Sequence, residues 1–235
     1  APYWLDSLTL PIRLGQSVAV TTFRTFNPDP VSIAGVCQAI YGSLISILIA
    51  VEPKPWGGST AIRRDVFERI GVTNAWKDTV VDDLVLGNLL SEAGVSLLVS
   101  PDSSMETPLK AQTFKGLLSF LHRQILFPKF TNPGIWISSM FWQFMLSISF
   151  IASFMALSHS VSTWSIDLQS FFALGYLLTV IGCFVTLHAV NPHRISWALW
   201  FLAVLPTLVL TTYVYAHSLF VNHIDWGAKR YYCGA

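Results

Sequence analysis

Charge stops abruptly along this chain. Of its 27 Lys, Arg, Asp and Glu residues, 22 precede residue 131, and only Asp167, Arg194, Asp225, Lys229 and Arg230 follow it. The second half therefore holds three uncharged segments, Ile135 to Leu157, Phe171 to Val190 and Ile195 to Phe220. Each is long enough to cross a hydrocarbon core as a helix, the form in which a single segment satisfies its own backbone polar groups in lipid. Pro206 is expected to kink or split the last of them. Trp136, Trp142, Trp164 and Trp197 lie near segment ends, as interfacial anchors do. With 53% hydrophobic residues, 11% charged and a mean hydropathy of +0.55, the whole is too apolar for an ordinary soluble domain. An integral membrane protein is expected, with a water-facing half ahead of a lipid-facing half.

A net charge of +1 argues against a nucleic-acid surface. Cys37, Cys183 and Cys233 form no C-x-x-C pair and suggest neither a zinc site nor a disulfide framework. Lys110, Lys115, Arg123 and Lys129 precede the first span, whereas the loop Ser158 to Ser170 has no Lys or Arg. Positive-inside bias thus puts the first half in the cytoplasm. Three full crossings would leave Lys229 and Arg230 on the opposite side, unless Pro206 marks a re-entrant segment.

The water-facing half opens on an amphipathic helix from Pro2 (PYWLDSLTLPIRL) and a buried strand from Ser17 to Thr22. Asn27-Pro28-Asp29-Pro30 reads as a breaker cluster. Val31 to Ala50 is uncharged and reads either as a span or as a helix packed in the domain or lying at the bilayer surface. Val95 to Ser100 reads as a strand and Pro101 to Pro108 as a loop. Phe114 to Phe127 gathers Leu117, Leu118, Leu121, Ile125 and Leu126 near one face, with Lys115, Arg123 and Lys129 available for head groups, an interfacial pattern.

Chemistry concentrates between Trp56 and Gly87, PWGGSTAIRRDVFERIGVTNAWKDTVVDDLVLG with its leading proline. Gly57 and Gly58 let backbone approach a ligand closely. About 25 residues on, Asp82 and Asp83 sit where a loop becomes a helix that stops at Gly94. A carboxylate there can serve as a general base, and two adjacent ones raise the cost of ionising both. The plainer alternatives are a helix N-cap for the aspartates and an ordinary turn for Trp56-Gly57-Gly58-Ser59. Arg63 and Arg64 suit either a diphosphate or a solvated helix start.

These residues resemble a known family, the membrane-bound inverting glycosyltransferases of the family 2 and family 21 type, in particular the ceramide glucosyltransferase-like group. GGS-A-RR-VFE-IG is similar to the segment after that family's donor site, and VDDLVLG to its ED-x-x-LG motif. Ser17 to Arg24 is similar to its V-T-x-x-R strand, and Ile224 to Tyr231 to its terminal I-x-W-x-G-x-x-Y signature. The resemblance runs from about Pro2 to Tyr231 and is tight between Trp56 and Gly94. It implies an α/β fold: part of a GT-A (Rossmann-like) domain over residues 1–113, an interfacial helix over 114–130, a transmembrane region over 131–222 and a tail over 223–235. It implies hexose transfer, with glucose expected, from a UDP-sugar to a membrane lipid hydroxyl. Asp83 would be the base with Asp82 beside it, and Trp56, Gly57, Gly58 and Ser59 would form the sugar-binding loop.

The family's (Q/R)-x-x-R-W motif has its nearest match at Gln124 to Pro128, where Phe127 and Pro128 replace Arg and Trp, so Gln124 and the adjacent Arg123 become the candidate substrate contacts there. That departure disfavours a processive polysaccharide synthase, the alternative enzyme. A non-catalytic membrane scaffold is the alternative outside enzymes. No Asp-x-Asp occurs in the 235 residues. The motif, and with it the family's Mg2+ or Mn2+, is expected upstream of Ala1, so the chain reads as a C-terminal fragment, inactive alone and binding no metal itself. The bacterial inner membrane and the Golgi membrane are both compatible locations.

Overall fold

The computed structural model describes residues 3–77, 79, 81–165, 167–226 and 229–232. Pro2 of the opening helix, Gly227 and Ala228 of the tail signature, and Cys233 lie outside the described residues. The chain divides into two compact units, Ala1–Pro30 with Tyr41–Lys110, and Val31–Ile40 with Ala111–Ala235.

In the first unit, helix α1 (Trp4–Arg13) leads to strand β1 (Ala19–Thr21), which every neighbour covers: Ala19, Val20 and Thr21 are fully buried. β1 is the centre of a three-stranded sheet. It pairs antiparallel with β3 (Thr60–Ile62), Val20 opposite Ala61, and parallel with β4 (Leu98–Val99), Val20 opposite Leu98. Helices α3 (Arg64–Arg69), α4 (Val72–Ala75) and α5 (Asp82–Glu92) follow β3. Leu86 and Leu90, one helical turn apart on α5, bury themselves with Ala19 and Val72. Gly94, with φ +63°, ends α5 in a conformation that residues with a Cβ rarely adopt.

A second sheet was not legible in advance. β2 (Arg24–Asp29) pairs parallel with β5 (Met105–Lys110), Pro28 opposite Leu109 and Asn27 opposite Pro108. Asn27 to Asp29 of the expected breaker cluster and Met105 to Pro108 of the expected loop are strand, while Pro101–Ser103 form a short 3-10 turn. A two-stranded sheet has only edges, and an edge strand tolerates a proline that donates nothing to the ladder. Asn27 Nδ2 donates to Glu106 Oε1 across the pair at 2.7 Å.

Helix α2 (Ile33–Val51) is shared, residues 33–40 grouping with the second unit and 41–51 with the first. The second unit continues with α6 (Phe114–Thr131), α7 (Pro133–Thr163), α8 (Leu168–Val190), α9 (Trp197–Ser218) and a hairpin of β6 (His223–Trp226) and β7 (Lys229–Tyr232). Each of α6 to α9 is opened by a side chain that accepts a backbone N–H three residues on: Thr113, Asn132, Asp167 and Ser196. α2, α7, α8 and α9 are long and apolar enough to cross a membrane, and the chain is an integral membrane protein. α7 turns Phe141, Trp142, Ile148, Ile151, Phe154 and Met155 outward, the reverse of a water-soluble helix.

Three expectations for this unit change. The apolar face of α6 is not spread outward, since Leu117, Phe120, Leu121, Ile125 and Leu126 are buried and the helix packs on α7 and α9. Trp136 is buried too, its Nε1 donating to Ser218 Oγ at 3.2 Å, and so is no outward anchor. α9 runs unbroken through Pro206. Close to that ring, Ala203 O accepts from Thr207 Oγ1 (2.7 Å) and Cys37 Sγ (3.5 Å), side-chain donors of the kind that keep a proline-containing helix satisfied in lipid.

α9 lies antiparallel to α7. Ser147 and Gln143 meet Thr212, Gln143 also reaches Leu208 O, and Trp136 meets Ser218. The start of α9 therefore lies about 31 Å up α7 from Trp136, towards the end where α8 begins. The chain returns to α6 at Ser218, where Lys129 Nζ donates to Ser218 O (2.6 Å), Val221 O (2.8 Å) and Asn222 Oδ1 (3.0 Å). The tail hairpin thus starts beside α6.

Candidate active site

The loop Trp56 to Ser59 is irregular, and its backbone bonds go largely to side chains. Trp56 N donates to Thr21 Oγ1 (3.0 Å) and Thr60 Oγ1 (3.2 Å), and Thr60 Oγ1 returns a bond to Trp56 O (2.9 Å). Thr21 Oγ1 also donates to Ser59 O (3.3 Å). Ser59 N closes the turn on Trp56 O at 2.9 Å. Ser59 is buried, and its Oγ accepts from the Trp4 indole N–H of α1 at 2.8 Å. The loop is buried at Ser59 and exposed at Gly57 and Gly58, and these four side chains pair the polar groups at its two ends, where water is excluded.

Both glycines are held to contact distance. A Cβ on Gly58 would fall 2.2 Å from Trp56 Cζ2, so the indole is folded across the glycine. A Cβ on Gly57 would sit 3.3 Å from Asp82 Oδ1 and 3.3 Å from Asp83 Oδ2. Gly57 N donates to Asp83 Oδ2 at 3.1 Å, across 26 residues of sequence, and a side chain at Gly57 would press on both carboxylates. The Arg24 guanidinium lies 5.8 Å from the Trp56 ring centroid and 4.8 Å from that of Phe26.

Asp82 and Asp83 differ despite adjacency. Neither is the N-cap, which is Val81 and makes no side-chain cap bond. Asp82 is exposed, and its Oδ1 accepts from Asp83 N at 2.9 Å while its carbonyl accepts from the Trp76 indole N–H at 3.0 Å. Asp83 is half-buried, with Oδ1 accepting from Leu84 N at 2.8 Å. Burial pushes the Asp83 carboxyl above the ordinary aspartate range, and the negative Asp82 adds to this; the N–H groups of Gly57 and Leu84 pull the other way. An ionised carboxylate offers about four lone-pair positions, and two on Asp83 are taken by backbone donors. The remainder can accept a hydroxyl proton.

Trp56, Gly57, Gly58, Ser59, Asp82 and Asp83 are thus brought together in the first unit. Arg123 and Gln124 are half-buried on α6 in the second. Arg63 and Arg64 are engaged locally, with Asp65 (2.9 and 2.5 Å) and Glu68 (2.8 Å), as a solvated helix start requires. His122, also on α6, holds Leu118 O (2.9 Å) and faces His217 Nδ1 (3.0 Å), its imidazolium form disfavoured chiefly by burial. Reading the sequence missed Trp4, Thr21, Thr60 and Trp76. The doublet Thr21-Thr22 inside an apolar strand was a usable signal, because buried hydroxyls seek partners.

The aspartates are not part of a larger cluster of metal-ligating side chains among the described residues. Among the described residues no three His, Cys, Asp or Glu side chains converge, and the two aspartates already accept backbone N–H groups.

No curated protein and no solved structure matches the chain. A family model does: that of glycosyl transferase family 21 matches residues 48–234, which take in the Trp56 loop, both aspartates and helices α5 to α9. The match covers most of the chain, and the protein belongs to glycosyl transferase family 21.

Proposed function

We propose that the protein transfers a hexose, glucose by its resemblance to ceramide glucosyltransferases, from a UDP-sugar to a lipid hydroxyl with inversion at the anomeric carbon. The first unit is read as part of a GT-A domain on the cytoplasmic side. The reading is supported above all by the Gly57 N–H to Asp83 Oδ2 bond, which ties the glycine loop to a half-buried carboxylate with spare acceptor capacity. The acceptor O–H donates to Asp83, which takes the proton as the acceptor oxygen attacks the anomeric carbon and the bond to the diphosphate breaks. Burial strengthens Asp83 as a proton acceptor relative to an exposed aspartate. The Trp56 indole offers an apolar face for the sugar, and Gly57 and Gly58 admit it close to backbone.

The test is Asp83→Asn in the full chain in membranes, supplied with UDP-glucose and a ceramide. Loss of a β-linked product with normal folding is expected. Unchanged synthesis would remove Asp83 as the base and favour a scaffold.

A further inference from the structure

We infer that residues 41–51 of α2 lie with one face on protein and the opposite face in bilayer hydrocarbon, so that the bilayer itself is the partner of this surface. Gly42 and Ser46 face inward: a Cβ on Gly42 would fall 2.4 Å from the Phe26 ring, and Ser46 is 4% exposed. Leu44, Leu48 and Val51, at helical spacing on the other side, are 42%, 57% and 79% exposed.

Three observations choose the occupant. The exposed residues Leu44, Leu48 and Val51 are all aliphatic, and Tyr41, one turn before Leu44, is half-buried, so the exposed stripe lacks the Trp, Tyr or Arg on which protein interfaces concentrate their binding energy. α2 carries no charge over its 19 residues, about 28 Å, and its earlier stretch meets the apolar helix α9 through Cys37 Sγ and Ala203 O. The stripe ends at Val51, where an exposed Glu52–Lys54 pair at 2.8 Å begins, a charged margin of the sort found where a helix leaves lipid. α2 is thus neither a free span nor a buried core helix.

Trp56 follows Val51 by five residues, a reach of at most about 17 Å. The hydrocarbon contact therefore sets the Trp56 loop near the bilayer margin, where an amphiphilic acceptor has to present only its hydroxyl. That consequence rests on the transfer function proposed above; the lipid contact itself does not.

The test places a polarity-sensitive fluorophore on Leu48→Cys in a chain also carrying Cys183→Ser and Cys233→Ser, since Cys37 is buried. The chain is reconstituted in phosphatidylcholine vesicles containing lipid with a nitroxide on its acyl chain. Blue-shifted emission, quenched by the nitroxide lipid and insensitive to aqueous iodide, is expected. Quenching by iodide would overturn the inference, and so would protection from both, which would mean a protein cover. Val51→Cys gives the same readout if Leu48→Cys does not fold, and Ser91→Cys, exposed on α5, is the water-facing control. Leu48→Lys should raise KM for a long-chain acceptor more than for a short-chain one. An equal rise would overturn the consequence for transfer while leaving the quenching result to stand on its own.

Discussion

The start of α5 and the end of α9 use one device with opposite outcomes. Each places a charge of the sign that the helix dipole favours, carboxylates at the N-terminus of α5 and an ammonium at the C-terminus of α9. Lys129 has three donors and three oxygens to receive them, so its capacity is spent. Asp83 has about four acceptor positions and two backbone donors. A saturated charge is a clamp. An unsaturated one, held half-buried by its neighbours, is available for chemistry.

Removing each charge should separate the two roles. Asp83→Asn is expected to lower kcat by about 10²–10⁴-fold, the usual worth of a general base. Circular dichroism and the thermal midpoint should stay near normal, and a collapse of folding would mean that Asp83 is a clamp as well. Lys129→Met should leave the carbonyl of buried Ser218 without this donor, at a cost of about 1–3 kcal/mol, and that of half-buried Val221 at less. A lower thermal midpoint in detergent and faster proteolysis of the tail hairpin would show it. Equal stability would mean that the clamp is ornamental.

pH provides a finer contrast. Burial disfavours ionised Asp83, so the stability it contributes is present below the ordinary carboxylate range and lost as pH climbs through the raised value. Activity needs the ionised form and should rise over that same interval. Asp82→Asn removes the smaller cause of the shift, and the rising limb of kcat/KM should move partway down in pH, with burial holding the rest. An unmoved limb would mean that Asp82 does not sense Asp83. The smallest effect is expected at Gln143→Leu, which removes bonds to Leu208 O and Thr212 Oγ1 between α7 and α9 and one to Ser147 within α7. Hydrogen bonds between membrane helices average about 0.6 kcal/mol, so unfolding in mixed micelles should shift only slightly.

Local signals were readable in advance and distant ones were not. The α5 boundary at Asp82 and Gly94, the glycine pair and the three apolar helices of the second unit follow from neighbouring residues. Pairing of β2 with β5 joins segments about 80 residues apart, and both contain prolines, so each segment alone looked like a breaker. The pins on Trp56 come from Thr21 and Thr60, and that on Ser59 from Trp4; hydroxyls and an indole N–H carry no label for a partner 35 or 55 residues away. The return of α9 to α6 depends on how helices pack, which hydropathy does not encode.

The Trp4 to Ser59 bond has a consequence for the order of events during synthesis. The Trp56 loop takes its shape from α1 and β1 before it and from α5 after it, so no shorter stretch contains the complete arrangement. Loop-closure entropy must be overcome before such contacts stabilise anything, which makes them late in folding. A nascent chain reaching only to Ile70 would hold the glycines and the indole without the carboxylate that faces them. Its Trp56 loop would exist only as a fluctuating turn, and the bond from Gly57 N to Asp83 would form only when the start of α5 docks.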